Sequence, residues 1–169
     1  MITMIHIVLV EPEIPQNTGN ISRTCASTGC ALHLVEPLGF SIDEKAVRRA
    51  GLDYWKYLNL TVHKSYEEFE AATQGMGRKY FCTTKAKHTY SEMDYDTKED
   101  LYFIFGRETR GLPERILKQH PEECIRIPMI AEARSLNLSN SVAIICYEAL
   151  RQQNFEALKL EGELTGRID

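Results

Sequence analysis

The sequence predicts an α/β domain in which a mostly parallel β-sheet is flanked by helices. Three observations lead to this prediction. Short β-rich runs alternate with helical patterns along the whole chain, which is typical of α/β folds. The run IHIVLV at 5–10 is continuous and apolar, the pattern of a strand covered on both faces. The first two strands also end in the same Val-Glu-Pro sequence, at 10–12 and 35–37, and we interpret these as equivalent strand ends of one βαβ unit.

The strands are predicted from apolar runs bounded by turn residues or by polar segments. The run LNLTVHK alternates apolar and polar residues, as a strand with one wetter face does. The runs KYFCTTK and LYFIF are separated by the polar, acidic stretch HTYSEMDYDTKED, and CIRIPM forms the last strand. In chain order, the predicted strands are 5–10, 31–37, 58–64, 79–85, 101–105 and 124–129.

The helices are predicted from capping residues and from a 3.6-residue apolar period. Gly29 stands where a helix C-cap is expected, and Ser65 followed by Glu68 is the reciprocal capping pattern of a helix start. Pro113 suits a first helical turn. The predicted helices are 20–28, 43–50, 65–72, 112–120 and about 139–153. The apolar face of the last one is Val142, Ile145, Cys146, Ala149 and Leu150.

Length and composition fit one globular protein. The chain has 169 residues, 43% of them hydrophobic and 26% charged, and we assign one domain to 1–155 and a polar tail to 156–169. Its apolar runs fall far short of the about 20 residues that a membrane helix needs, and no secretory signal is recognisable, so we expect a cytoplasmic protein. A net charge of −4 argues against indiscriminate coating of nucleic acid but leaves room for a local basic face.

The sequence lacks the motifs of several common functional sites. The five cysteines include no C-x-x-C pair, so we expect reduced, mostly buried thiols and neither a disulfide framework nor a zinc knuckle. The five histidines are scattered, so we expect no metal site, and His6 and His33 lie in strands where a structural role is more common. Neither a dinucleotide-binding glycine motif, nor a P-loop, nor a serine nucleophile elbow occurs.

Three polar segments that follow strands carry the candidate functional residues. They are NTGNISR at 17–23, FGRETRGLP at 105–113 and IPMIAEARSLNLSNSVAI at 127–144, here called the first, second and third loops. Ligands of parallel sheets bind where loops leave the carboxyl ends of strands. In the first loop, Asn17 or Thr18 caps a helix while Arg23 lies on a solvated face, or else the helix N-terminus binds an anion and Arg23 contacts phosphate or ribose oxygens.

The second and third loops each allow two interpretations. Gly106 permits close approach of a ligand to the backbone, and Gly111 permits a conformation closed to other residues. Glu108 either belongs to an exposed charge cluster, or it orients an arginine or accepts hydrogen bonds from a polar ligand. The third loop offers an apolar shelf at 127–129 beside the polar residues of 135–141. It is a solvated loop or a site for a purine-containing small molecule.

In order and spacing, the three loops resemble the signature motifs of the SPOUT methyltransferases. The resemblance covers about residues 4–153 and is closest to the small, single-domain tRNA (cytidine/uridine 34)-2′-O-methyltransferases, whose pattern RRAGLDYW and TTK also match. It implies a C-terminal deep trefoil knot, a homodimer with the active site at its interface, S-adenosylmethionine as cofactor and the tRNA anticodon loop as substrate. Alternatives are 2′-O-methylation at another tRNA or rRNA position, or a non-catalytic RNA-binding factor.

The resemblance also implies a role for individual residues. Arg23 would position the ribose hydroxyl or stabilise developing negative charge, with a base role also possible, while Asn17 and Glu108 orient it. Ser141 and Asn140 would hold the third loop. The implied cofactor contacts are Cys82, Gly106, Ile127, Met129, Ser135, Leu136 and Asn140. The expected RNA contacts are Arg48, Arg49, Tyr54, Trp55 and Tyr147. The rings of Tyr54 and Trp55 fit the core equally well, and Tyr147 contacts RNA or lines a dimer interface.

Overall fold

The computed structural model describes residues 3–42 and 55–168 and has a seven-stranded parallel sheet at its centre. The strands are β1 (Ile5–Val10), β2 (Ala31–Val35), β3 (Asn59–His63), β4 (Arg78–Cys82), β5 (His88–Thr89), β6 (Leu101–Phe105) and β7 (Cys124–Arg126). Their order in the sheet is β3-β2-β1-β6-β4-β7-β5, and every neighbouring pair is parallel. The predicted α/β class and parallel sheet are confirmed.

Helices cover both faces of the sheet. They are α1 (Pro15–Thr28), α2 (Tyr66–Ala72), α3 (Glu114–Leu117) and α4 (Leu138–Gln152). Helices α1 and α4 pack together over one face, and all five residues predicted for the apolar side of α4 are buried there. Helices α2 and α3 cover the other face. The predicted helix over 43–50 lies outside the described residues.

The first helix begins earlier than its predicted start at residue 20. Pro15 occupies its first position, where a missing N–H costs nothing and the fixed φ suits a helix. The segment 17–23 is therefore helical, and neither Asn17 nor Thr18 is the cap, since Ile14 holds that position without a side-chain hydrogen bond. The other end is as predicted, because Gly29 closes the helix with φ 76°.

Other helix and strand boundaries also differ from the sequence predictions, near prolines and where two strands pair over only a few residues. The helix predicted over 112–120 shrinks to α3, with Pro113 at the N-cap position. The strand predicted over 124–129 ends at Arg126, two residues before Pro128, which cannot donate to a ladder. Strand β4 ends at Cys82, and β2 ends at Val35. The two-residue strand β5, which pairs with β7, was missed.

The chain after α4 stays on the domain for several residues. Phe155 and Leu158 pack against the core, and the amide of Gln153 donates to the carbonyl of Tyr95 at 3.0 Å. From Lys159 to Ile168 the side chains are exposed. Within residues 3–42 and 55–168, no helix has the length and apolar character needed to cross a membrane.

Candidate active site

A cavity of about 510 Å³ opens at the carboxyl ends of β4, β6 and β7. The second and third loops form much of its wall, and the first turn of α1 contributes to it. The expected site residues that line this cavity are Asn17, Cys82, Gly106, Glu108, Ile127, Met129, Ser135 and Leu136. Segments far apart in sequence therefore converge on one pocket, as the parallel topology predicts.

Glu108 joins the second loop to the start of α1. Its carboxylate accepts hydrogen bonds from the backbone N–H groups of Glu13 at 2.8 Å and Ile14 at 3.1 Å, and from the amide of Asn17 at 3.4 Å. A helix N-terminus favours a negative charge because its first N–H groups lack partners. The anion expected at this helix start is thus a carboxylate of the protein itself, which fixes the two segments against each other.

A second set of contacts strengthens the same junction. The carboxylate of Glu13 accepts hydrogen bonds from the N–H of Thr109 at 3.2 Å and from its hydroxyl at 2.7 Å. These hydrogen bonds lower the pKa of Glu13 below its ordinary value. Arg107 donates to the Glu11 carboxylate at 2.6 Å. The second loop and the segment after β1 are therefore joined by reciprocal contacts.

Asn137 connects the third loop to this junction. Its side-chain oxygen accepts from the N–H groups of Ser139 at 2.9 Å and Asn140 at 3.4 Å, which makes it the N-cap of α4. Its amide nitrogen donates to the side-chain oxygen of Asn17 at 3.2 Å. Glu108, Asn17 and Asn137 thus form a continuous hydrogen-bonded chain across all three segments.

The sequence analysis did not predict that Asn137 holds the third loop against the other segments. It assigned that role to Ser141 and Asn140. The available signal was an asparagine directly before an apolar helical period, which is a typical N-cap pattern. Ser141 donates its hydroxyl to the Asn137 carbonyl at 3.2 Å and lines the cavity, so it lies near the expected place. Asn140 is not among the lining residues, and its N–H is used within the cap.

Two glycines shape the second loop. Gly111 has φ +67°, as predicted, and its N–H donates to the carbonyl of Arg107 at 2.8 Å. A Cβ on Gly106 would overlap the backbone of Gly111 and the nitrogen of Leu112. The close approach expected at Gly106 is therefore made by the returning loop itself, which leaves no room for a side chain there.

The cavity wall combines apolar surface with an excess of cations. Ile125, Ile127 and Ile145 contribute apolar area, and burial raises the pKa of the neighbouring Cys82 thiol, so that group is neutral. The chain leaves the β7 ladder after Arg126, and Ile127 and Met129 then line the cavity. The cationic side chains in the wall are Lys85, Arg107, Arg110, Arg126 and Arg134. Such a pocket suits a partly apolar ligand with several hydrogen-bonding groups.

The model of the SpoU rRNA methylase family matches residues 4–147. The chain belongs to this family. A relative from Listeria monocytogenes serotype 4b (strain F2365) is 55% identical over 164 residues, 96% of each chain. A tRNA (cytidine(34)-2′-O)-methyltransferase from Methylovorus glucosotrophus (strain SIP3-4) is 52% identical over 153 residues, which cover 90% of this chain and 97% of the relative. A structure concerned with 2′-OH methylation of C/U34 on tRNA superimposes with a TM-score of 0.84 at 41% identity, covering 91% and 99% of the two chains.

The remaining expected residues of this SpoU-family chain lie away from the cavity or outside the described part. Arg23 is an exposed residue of α1 and is not among the lining residues. Tyr147 is 47% exposed on α4. Arg48, Arg49 and Tyr54 fall outside the described residues. Trp55 begins a short 3₁₀ helix, Trp55–Tyr57, and its side chain is not described.

Proposed function

We propose that this protein methylates the ribose 2′-oxygen of the wobble nucleotide of tRNA, cytidine or uridine 34, with S-adenosylmethionine as methyl donor. The observation that carries the proposal is the convergence of the three loops on one cavity through the chain Glu108, Asn17 and Asn137. The activity named for the Methylovorus relative, at 52% identity over nearly full length, supports the choice of reaction and nucleotide.

The cavity fits S-adenosylmethionine in size and chemistry. Its volume of about 510 Å³ lies within the common range for small-molecule sites. Ile127 and Met129 are proposed to offer apolar contact and backbone carbonyls to the purine, and Cys82, Gly106, Ser135 and Leu136 line the same wall. When bound, the cofactor supplies an electrophilic methyl group. The protein's part is to exclude water and to hold the hydroxyl in line with that group.

Arg23 is the residue we assign to the ribose hydroxyl. A guanidinium with a pKa above about 12 is a poor general base, so we assign it to positioning the hydroxyl and to stabilising the negative charge that develops on the oxygen. Asn17 and Glu108 hold the start of α1, the helix that carries Arg23. Since Arg23 is exposed and does not line the cavity of its own chain, a second copy that completes the site accounts for its place.

A homodimer with the active site at its interface is therefore part of the proposal. Exposed apolar side chains on or near α4 support it, among them Leu136, Ile144 and Tyr147. Such side chains next to a polar cavity rim are typical of an interface between subunits. The knotted C-terminal chain path that the SPOUT resemblance implies belongs to the same proposal. Analytical sedimentation or light scattering tests the dimer directly.

The anticodon loop is the proposed RNA target. Arg48 and Arg49 supply charge for phosphates, and Tyr54 and Trp55 supply rings that stack on unpaired bases. Tyr147, exposed on α4, is the proposed contact at the subunit interface or with the RNA. Because tRNA is the proposed substrate, we also propose that the protein acts in the cytoplasm.

The decisive experiment incubates the purified protein with isotopically labelled S-adenosylmethionine and bulk tRNA, followed by mass spectrometry of the nucleosides and of anticodon fragments. We expect label only on the 2′-oxygen of cytidine or uridine 34. Label at another tRNA position, or on rRNA alone, would favour the alternative specificity. Failure to bind S-adenosylhomocysteine in calorimetry would favour a non-catalytic RNA-binding factor.

A further inference from the structure

In the described part of the chain, only some of the positively charged side chains in the cavity wall form ion pairs with carboxylates. Lys85 forms an ion pair with Glu114 at 2.7 Å, and Arg107 forms one with Glu11 at 2.6 Å. Among the described residues, the only carboxylate in the wall is Glu108, whose oxygens accept three hydrogen bonds at the start of α1. Glu108 keeps its negative charge while it accepts these hydrogen bonds, and the three other arginines of the wall exceed this one carboxylate by two positive charges.

Three arginines remain without an ion pair in the part of the chain that the structure describes: Arg110, Arg126 and Arg134, here called the arginine rim. Arg126 donates to a neutral group, the carbonyl of Thr84, at 3.0 Å. Arg110 and Arg134 are exposed at the cavity, and the positive charge of Arg110 also helps to lower the pKa of the nearby Glu13 carboxylate. Guanidinium groups keep their charge at every accessible pH, so the rim is a permanent source of positive potential.

The proposed cofactor and its product respond differently to that potential. At neutral pH, S-adenosylmethionine carries a sulfonium, an ammonium and a carboxylate, and so has one net positive charge. S-adenosylhomocysteine has lost the sulfonium and is neutral overall. The rim therefore opposes binding of the methyl donor more than binding of the product, while a polyanionic RNA is attracted to it.

On the basis of the proposed function, we infer that the arginine rim binds phosphates of the RNA substrate. RNA binding thereby changes the affinity of the protein for the methyl donor relative to its affinity for the product. Phosphates on the rim cancel the repulsion of the sulfonium, so RNA raises the affinity for the methyl donor more than that for the product. By thermodynamic reciprocity, the methyl donor raises RNA affinity by the same factor. Methyl transfer removes the sulfonium charge and with it this mutual stabilisation.

The size of the effect follows from the dimensions of the cavity. A cube of about 510 Å³ has an edge of about 8 Å, which we take as the scale of the separation between a rim guanidinium and the sulfonium. Unit charges separated by about 8 Å in water change an affinity by about twofold, and salt weakens the effect. Neutralising one rim arginine is therefore expected to shift the donor-to-product preference by about twofold, and neutralising two by about fourfold.

The test is calorimetry with two probes that cannot react. Sinefungin carries an ammonium in place of the methyl sulfonium and imitates the charge of the donor, while S-adenosylhomocysteine represents the product. Both are titrated into the wild type, Arg110→Gln, Arg134→Gln and the double variant, with and without tRNA. Arg78→Gln is the matched control, because Arg78 pairs with Glu99 at 2.6 Å and begins β4 at the end opposite the cavity.

We expect the rim variants to bind sinefungin more tightly relative to S-adenosylhomocysteine, and tRNA less tightly, whereas Arg78→Gln leaves both properties unchanged. In the wild type, tRNA should tighten sinefungin binding more than product binding, and in the double variant this difference should shrink. If the double variant keeps the wild-type ratio of sinefungin to S-adenosylhomocysteine affinity, or if tRNA tightens the binding of both probes equally, the inference about the arginine rim is overturned. The proposed function is not affected by either result. If neither probe binds the wild type, the proposed function fails as well.

Discussion

Nδ1 of His33 lies 2.9 Å from Nε2 of His63, and the two rings are stacked. His33 also lies 2.9 Å from His6 through its other nitrogen, and His6 lies 3.3 Å from the carboxylate of Asp100. The three histidines cross β1, β2 and β3 diagonally on one face of the sheet. Neutral imidazoles can satisfy every one of these contacts with one N–H each: His63 donates to His33, His33 donates to His6, and His6 donates to Asp100.

This histidine chain should make folding stability depend on pH. Burial lowers the pKa of His33 to about 4 from an ordinary value of 6.5, and burial also lowers the pKa values of His6 and His63. Asp100 opposes this effect at His6, and Glu68 opposes it at His63. The unfolded chain therefore takes up protons below pH 6.5 that the folded chain refuses, so stability is full above 6.5 and falls as the pH drops toward 4.

The variant His33→Gln should flatten that dependence. Urea unfolding between pH 7.5 and 4.5 measures the free energy of unfolding, and the wild-type slope should exceed that of the variant by up to about 1 kcal/mol per pH unit. The variant also loses a hydrogen bond, so the comparison uses the slopes of the two proteins and not their stabilities at pH 7.5. Equal slopes for the two proteins would show that His33 does not titrate as its burial requires.

Asn137 offers a way to separate a helix cap from a link between loops. Asn137→Ala removes both and should lower the free energy of unfolding by about 1 kcal/mol, with weaker cofactor binding. Asn137→Asp keeps an oxygen for the N–H groups of α4 but cannot donate to Asn17. It should therefore retain stability and still lose cofactor affinity in calorimetry. An Asp variant with unchanged affinity would limit Asn137 to capping.

The two glycines of the second loop should respond differently to the same substitution. Gly106→Ala forces a methyl group into the backbone of Gly111 and Leu112, so we expect a loss of about 3 kcal/mol or more and a collapsed cavity. Gly111→Ala meets no atom within 4 Å and suffers only from φ +67°, at a cost of about 1 to 2 kcal/mol. Chemical unfolding measures both, and a smaller cost at Gly106 than at Gly111 would contradict the described packing.

The parallel sheet and the convergence of the loops could be predicted because they follow from short-range patterns. Apolar runs mark the strands, and parallel strands put their carboxyl ends on one edge. Pro15 marks the start of α1 in the sequence, but the group that binds its N-terminus could not be predicted in this way, since that group is Glu108, 94 residues beyond Ile14. The histidine chain could not be predicted from the sequence for the same reason. Each histidine looks like an isolated strand residue until the register of the strands brings the three rings together.

Arg23 provides the clearest separation of catalysis from cofactor binding. It does not line the cavity of its own chain, so Arg23→Ala should leave the affinity for S-adenosylhomocysteine nearly unchanged while methyl transfer to tRNA falls below detection. Arg23→Lys keeps a charge but loses the planar guanidinium fork and should recover only a small part of the activity. Single-turnover methyl transfer and calorimetry on the same preparations measure the two properties. A large loss of cofactor affinity in Arg23→Ala would place Arg23 at the cofactor and remove its assignment to the ribose hydroxyl.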